Sequence, residues 1–114
     1  MKSLLRAAVT SRPVLESWNF LHPPSPCIIN LHRFALPEGE GDPTGEALAG
    51  EVLRRQLAAL RRNGFSVVPL LELIEHCVAG DLGGRRLAIT VDDGYEDFDR
   101  VGAPILAEFD CPVT

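Results

Sequence analysis

The chain has 114 residues, 46% of them hydrophobic and 24% charged, enough for one small domain with a core and too few for two. That balance excludes wholesale disorder. A formal net charge of -5 gives no general attraction to nucleic acid or anionic lipid, so neither is an expected partner.

In chain order, Met1 to Val9 sets Lys2 and Arg6 around a short apolar patch that Arg12 interrupts. The patch is too short for the apolar centre of a signal peptide or for a membrane span, which predicts a cytoplasmic location. A short helix is expected around Leu4 to Val9. Pro13, Pro23, Pro24 and Pro26 then punctuate the chain, so residues 1–26 read as an arm or linker and 27–114 as a partial domain. Cys27 to Leu31 (CIINL) predicts a buried first strand leading into His32 and Arg33. Ala35 to Gly45, with Pro37, Gly39, Gly41, Pro43 and Gly45 among acidic residues, predicts a surface loop.

Thr44 or Gly45 is the expected cap of a helix from about Glu46 to Asn63, with Leu48, Val52, Leu53, Leu57 and Leu60 as its apolar stripe and Gly64 as its stop. Phe65 to Val68 predicts a strand and Leu70 to Val78 a shorter helix before Gly80. Leu87 to Val91 predicts a third strand, and Val101 to Phe109 a helix with Pro104 in its first turn. Strands alternating with helices imply parallel pairing and the α/β class. Cys27, Cys77 and Cys111 are odd in number, far apart and without Cys-x-x-Cys spacing, which predicts buried reduced thiols rather than disulfides or zinc ligands.

The third strand ends in Asp92, Asp93 and Gly94. Adjacent carboxylates at the end of an apolar strand repel each other and call for a cation, donors or a shared proton. In parallel α/β folds that strand end is also where ligands bind. With a divalent cation, one carboxylate binds the metal while its neighbour accepts a proton from water, the division of labour hydrolysis needs. An Asp-Asp-Gly turn with solvated side chains is the plainer alternative. A calcium loop over Asp92, Asp93, Glu96, Asp97 and Asp99 fits poorly, because Gly94 comes too early for an EF-hand. A phosphate-transferring Asp-x-Asp-Gly motif fails as well, since Thr90 stands two residues before Asp92.

Thr90-Val91-Asp92-Asp93-Gly94-Tyr95 resembles the first motif, Thr-Phe-Asp-Asp-Gly-Tyr, of the polysaccharide deacetylase family (the NodB homology domain). Asn30-Leu31-His32-Arg33-Phe34 is similar to the family's Tyr-His-Arg-Val strand end. The helix before Gly64, Phe65 to Leu70, and Cys111-Pro112-Val113-Thr114 extend the likeness over residues 27–114. The resemblance implies the opening portion of a distorted parallel (β/α) barrel, with an N-acetylated carbohydrate as substrate. It implies Asp92 as catalytic base, Asp93 as ligand of a divalent metal, commonly zinc, and a substrate-side or structural place for His32, Gly94 and Tyr95. His22 and His76 match no motif. Val91 stands where the family has Phe, and Phe34 where it has Val, changes that keep the positions apolar.

The family's second motif, His-(Ser/Thr)-x-x-His, supplies the remaining metal ligands and has no counterpart among His22, His32 and His76. The resemblance therefore implies the N-terminal part of a deacetylase that is inactive alone, with a complementary downstream polypeptide as a further partner. A non-catalytic interaction module or a degenerate fragment is the alternative from a different class.

Overall fold

A computed structural model describes residues 25–38 and 45–114; the helix expected at Leu4 to Val9, most of the proline-punctuated arm, and Thr44 lie outside them. Three parallel strands, β1 (Cys27–Leu31), β2 (Ser66–Val67) and β3 (Arg86–Val91), form a sheet in the order β1-β3-β2. Helix α1 (Gly50–Arg62) links β1 to β2, and α2 (Leu70–Val78) links β2 to β3. After β3 a π-type turn (Phe98–Gly102) leads into α3 (Ala103–Glu108). This is the α/β arrangement the alternation predicts. Its strand order puts β3 at the centre, whereas a regular barrel in sequential order would place β2 there.

Period-2 alternation sends Ile29, Leu31, Ile89 and Val91 to one face of the sheet. Ile89 joins Leu53 and Leu57 of α1, Leu87, Phe34, Ile105 and Leu106 in a buried cluster, with Ile29, Leu31 and Val91 packed against it. Leu53, Leu57 and Leu60 sit at helical spacing, which is why α1 lays this face on the sheet. Gly64, at φ +76°, closes α1 as expected, with Phe65 N–H donating to Leu60 C=O. Arg54 of α1 reaches both carboxylate oxygens of Glu108 at 2.9 and 3.0 Å, joining α1 to α3 across the surface.

Helix α1 begins at Gly50 rather than Glu46, and no side chain caps it. Leu48 is drawn instead into a parallel bridge with Phe34: Ala35 N–H donates to Leu48 C=O and Leu48 N–H to Arg33 C=O. Long-range backbone pairing has overridden the local helical pattern. β1 is not buried as expected. It pairs with β3 along one side, and Ile28 is 54% exposed on its other face. The cysteines are free, but Cys27 and Cys77 are exposed and only Cys111 is partly covered, which corrects the expectation of buried thiols. Cys27 lies on the edge strand, and Cys77 lies near the end of α2, where Ile74 and Val78 are exposed too.

The last helix also starts later than the Val101 expected. Ala103 N–H reaches back five residues to Phe98 C=O, and Pro104 then opens α3. The wide turn brings Phe98 against Phe34, ring centroids 6.0 Å apart, with Gly102 beneath both. A Cβ on Gly102 would lie 2.7 Å from Phe34 and 2.9 Å from Phe98. Phe34 thus fits in place of a smaller valine because Gly102 carries no side chain. Gly102→Ala is expected to cost about 1–3 kcal/mol by overpacking, read as a lower urea midpoint, and Phe34→Val in the same chain should recover part of it.

Candidate functional site

The C-terminal ends of β1 and β3 lie side by side, because the parallel register pairs Asn30 with Thr90 and Leu31 with Val91. Period 2 places Asn30 and His32 of the first strand end on the same face as Thr90 and Asp92 of the second, opposite the apolar row that meets α1. Asp92 N–H donates to Leu31 C=O at 3.1 Å, prolonging the pairing one residue beyond β3. On the side-chain side, Asn30 Nδ2 donates to Asp92 Oδ2 at 3.0 Å and Thr90 Oγ1 to Asn30 Oδ1 at 3.0 Å. His32 Nε2 lies 3.3 Å from the same Asp92 Oδ2, both side chains about half exposed. The structure therefore brings together His32 and Asp92, two of the residues singled out from the sequence.

Asp93 and Gly94 turn the chain sharply away. Both are left-handed, Asp93 at φ +70° and Gly94 at φ +57°. Aspartate tolerates that region better than most residues and glycine best of all. Asp93 is exposed at the turn. The space around Gly94 is open, with nothing within 4 Å of a Cβ built there. Gly94→Ala should therefore cost only the conformational penalty, about 1–2 kcal/mol, measurable as a drop in thermal midpoint, and Gly94→Asn should cost less.

Beyond the turn, Tyr95 is 45% exposed and its ring lies under the Arg33 guanidinium, 4.5 Å from its centroid. Arg33 Nε also donates to Asp97 Oδ2 at 2.9 Å, and Phe34 N–H donates to that oxygen at 3.0 Å. Asp97 is 3% exposed, and its Oδ1 is buried without a hydrogen-bond partner among the described residues. Burial pushes the Asp97 carboxyl up, but the hydrogen bonds from Arg33 and Phe34, the Arg33 charge and the Phe98 backbone outweigh it and hold it below the usual range. Asp97 thus ties the loop after β3 to the end of β1 and fixes how the two halves of the site face each other.

Asn30, Thr90, Arg33 and Asp97 were not assigned roles from the sequence. The first two carried a readable signal, the alternation of polar and apolar residues at both strand ends. Asp97 carried none, since its partners are more than sixty residues away in sequence and only the fold brings them near. Among the described residues no group of three or more His, Cys, Asp or Glu side chains is placed to hold a metal ion. His32, Asp92 and Asp93 are three donors in number, but they are not placed together as the three protein ligands of a catalytic zinc site. No helix among the described residues is long and apolar enough to cross a membrane.

The parallel α/β sheet, with paired aspartates at the end of its central strand, has the fold seen in solved de-N-acetylase structures. No protein-family model and no curated protein matches the chain. Solved structures do, among them a de-N-acetylase from Aggregatibacter actinomycetemcomitans, 23% identical with a TM-score of 0.62 over 79% of this chain and 36% of that one. IcaB from Ammonifex degensii is 26% identical, with a TM-score of 0.63 over 78% of this chain and 36% of that one. The deacetylase PplD from Streptococcus pyogenes, solved in complex with acetate, is 22% identical, with a TM-score of 0.67 over 80% of this chain and 41% of that one. The likeness to polysaccharide deacetylases is thus one of fold as well as of motif. This chain spans about two fifths or less of the length of these neighbours.

Proposed function

We propose that this chain carries the base-bearing part of a carbohydrate de-N-acetylase centre, acting on N-acetylated sugars. The observation that carries the reading is the contact of His32 and Asn30 with Asp92 at the C-terminal edge of a sheet with the fold of de-N-acetylases. Asp92 is the general base. It takes a proton from a water whose oxygen attacks the acetyl carbonyl carbon, the carbon–nitrogen bond breaks, and the amine leaves with a proton while acetate is released. Acetate bound in the similar deacetylase PplD is in keeping with that product.

Asp93 is assigned to a divalent metal, zinc by family resemblance. By the family resemblance the remaining ligands are assigned to the His-(Ser/Thr)-x-x-His motif, carried by a complementary downstream polypeptide, and the 114 residues alone are expected to release no acetate. The test is acetate release from N-acetylated oligosaccharides by this chain, by a polypeptide bearing that motif, and by the two together. Release from the mixture alone, abolished by a chelator and restored by zinc, is the expected result. Turnover by this chain alone overturns the incompleteness, and a mixture that forms a complex yet releases no acetate overturns the reading.

A further inference from the structure

Asn30 stands on β1 directly opposite Thr90 on β3, and both lie on the sheet face that carries Asp92. A carboxylate only accepts hydrogen bonds, so the amide group of Asn30 that faces Asp92 Oδ2 at 3.0 Å is its NH2. Its carbonyl oxygen is thereby turned to Thr90, whose hydroxyl donates to it at 3.0 Å. The chain of contacts is therefore directional: Thr90 fixes the Asn30 amide, and the Asn30 amide fixes one oxygen of Asp92. His32 Nε2 approaches that same oxygen at 3.3 Å, whereas Oδ1 of Asp92 has no hydrogen-bond partner among the described residues.

We propose that Asn30, oriented by Thr90, is the positioning residue of the catalytic base: it holds Oδ2 of Asp92 and leaves Oδ1 turned out to take the proton. Its consequence for turnover rests on the deacetylase reading above, but the contact itself does not. A half-exposed carboxylate otherwise rotates about its Cβ–Cγ bond, and a base gains its efficiency from being held within reach of the proton it removes. The neighbours of Asn30 suit a positioning role. It is exposed on an edge strand rather than packed in the core, so its contribution to stability is small and its side chain is replaceable without a cavity.

Two readouts separate the contact from its catalytic role. In the chain by itself, the side-chain amide signals of Asn30, followed by nitrogen NMR, should move on Asp92→Ala and on Thr90→Val and stay in place on Thr90→Ser. Signals that ignore Asp92→Ala show that the contact is absent and overturn the proposal whatever the activity. In the mixture that releases acetate, Asn30→Leu should lower kcat on the order of tenfold with KM and the urea midpoint unchanged. Thr90→Val should lower kcat less, Thr90→Ser should restore it, and the double variant Asn30→Leu with Thr90→Val should be no worse than Asn30→Leu alone. An unchanged kcat in Asn30→Leu, or a loss that tracks the urea midpoint, overturns the positioning role. If the wild-type mixture has no turnover, the deacetylase reading falls and the catalytic role with it, while the amide signals still decide the contact.

Discussion

Asp92→Asn is expected to lower acetate release by about a hundredfold to ten-thousandfold, the usual contribution of a positioned general base, with no change in the urea midpoint. Asparagine matches aspartate in shape and keeps an oxygen to accept the bond from Asn30, so the strand end stays as it is. What it loses is the carboxylate that accepts the proton. The half-exposed setting of Asp92 matters for the interpretation: no core contact is lost, and a fall in rate therefore reports chemistry rather than unfolding. A steady-state comparison of kcat in the two-polypeptide mixture checks it. Unchanged turnover would remove Asp92 from the role of base and leave the Asp-Asp-Gly segment as a turn.

The second large effect is structural and comes from Asp97. Asp97→Ala strips the acceptor from the buried Phe34 N–H and from Arg33 together. Arg33 is 42% exposed and keeps its contact with the Tyr95 ring, so most of the cost is the orphaned backbone donor and the lost charge-assisted bonds, about 2–3 kcal/mol. Against a typical domain stability of about 5–15 kcal/mol, that is a large share. Asp97→Asn keeps a neutral acceptor and should lose less, with urea denaturation at neutral pH ordering wild type, Asn and Ala. The pH dependence follows from the carboxyl's lowered folded-state value. A group whose folded pKa lies below its unfolded one stabilises the fold above the unfolded value, about 3.9 for aspartate, and loses that contribution as pH falls through the folded value. The gap between wild type and Asp97→Asn should therefore be widest at neutral pH and close progressively below about pH 4. A gap independent of pH would mean that the charge of Asp97 does not stabilise the fold.

Much of this arrangement was legible in local chemistry. Pro26 before β1, Pro69 before α2 and Gly64 after α1 mark element ends that the structure keeps within a residue or two, because each acts on its own backbone. The pairing of His32 with Asp92 was half legible: each was singled out by its motif, but their contact needs the parallel register of β1 and β3. Where reading failed, distant partners decided. Leu48 has helical spacing with Val52, yet Phe34 recruits it into a β-bridge and delays α1 by four residues. Asp97 looked like one more acidic residue of a solvated loop until Arg33 and Phe34 met it. The exposed cysteines show the same limit from the other side, since apolar neighbours in sequence do not tell whether a strand is central or at an edge.

The proposed function turns on one step, the attack of water on an N-acetyl group with Asp92 as its base. The most direct measurement is acetate released from an N-acetylated oligosaccharide in heavy-oxygen water by the two-polypeptide mixture, read by mass spectrometry alongside the free amine formed. The account predicts one labelled oxygen in each acetate, one amine for each acetate, and loss of both on Asp92→Asn. Acetate without label, or no acetate from a mixture that forms its complex, would contradict it.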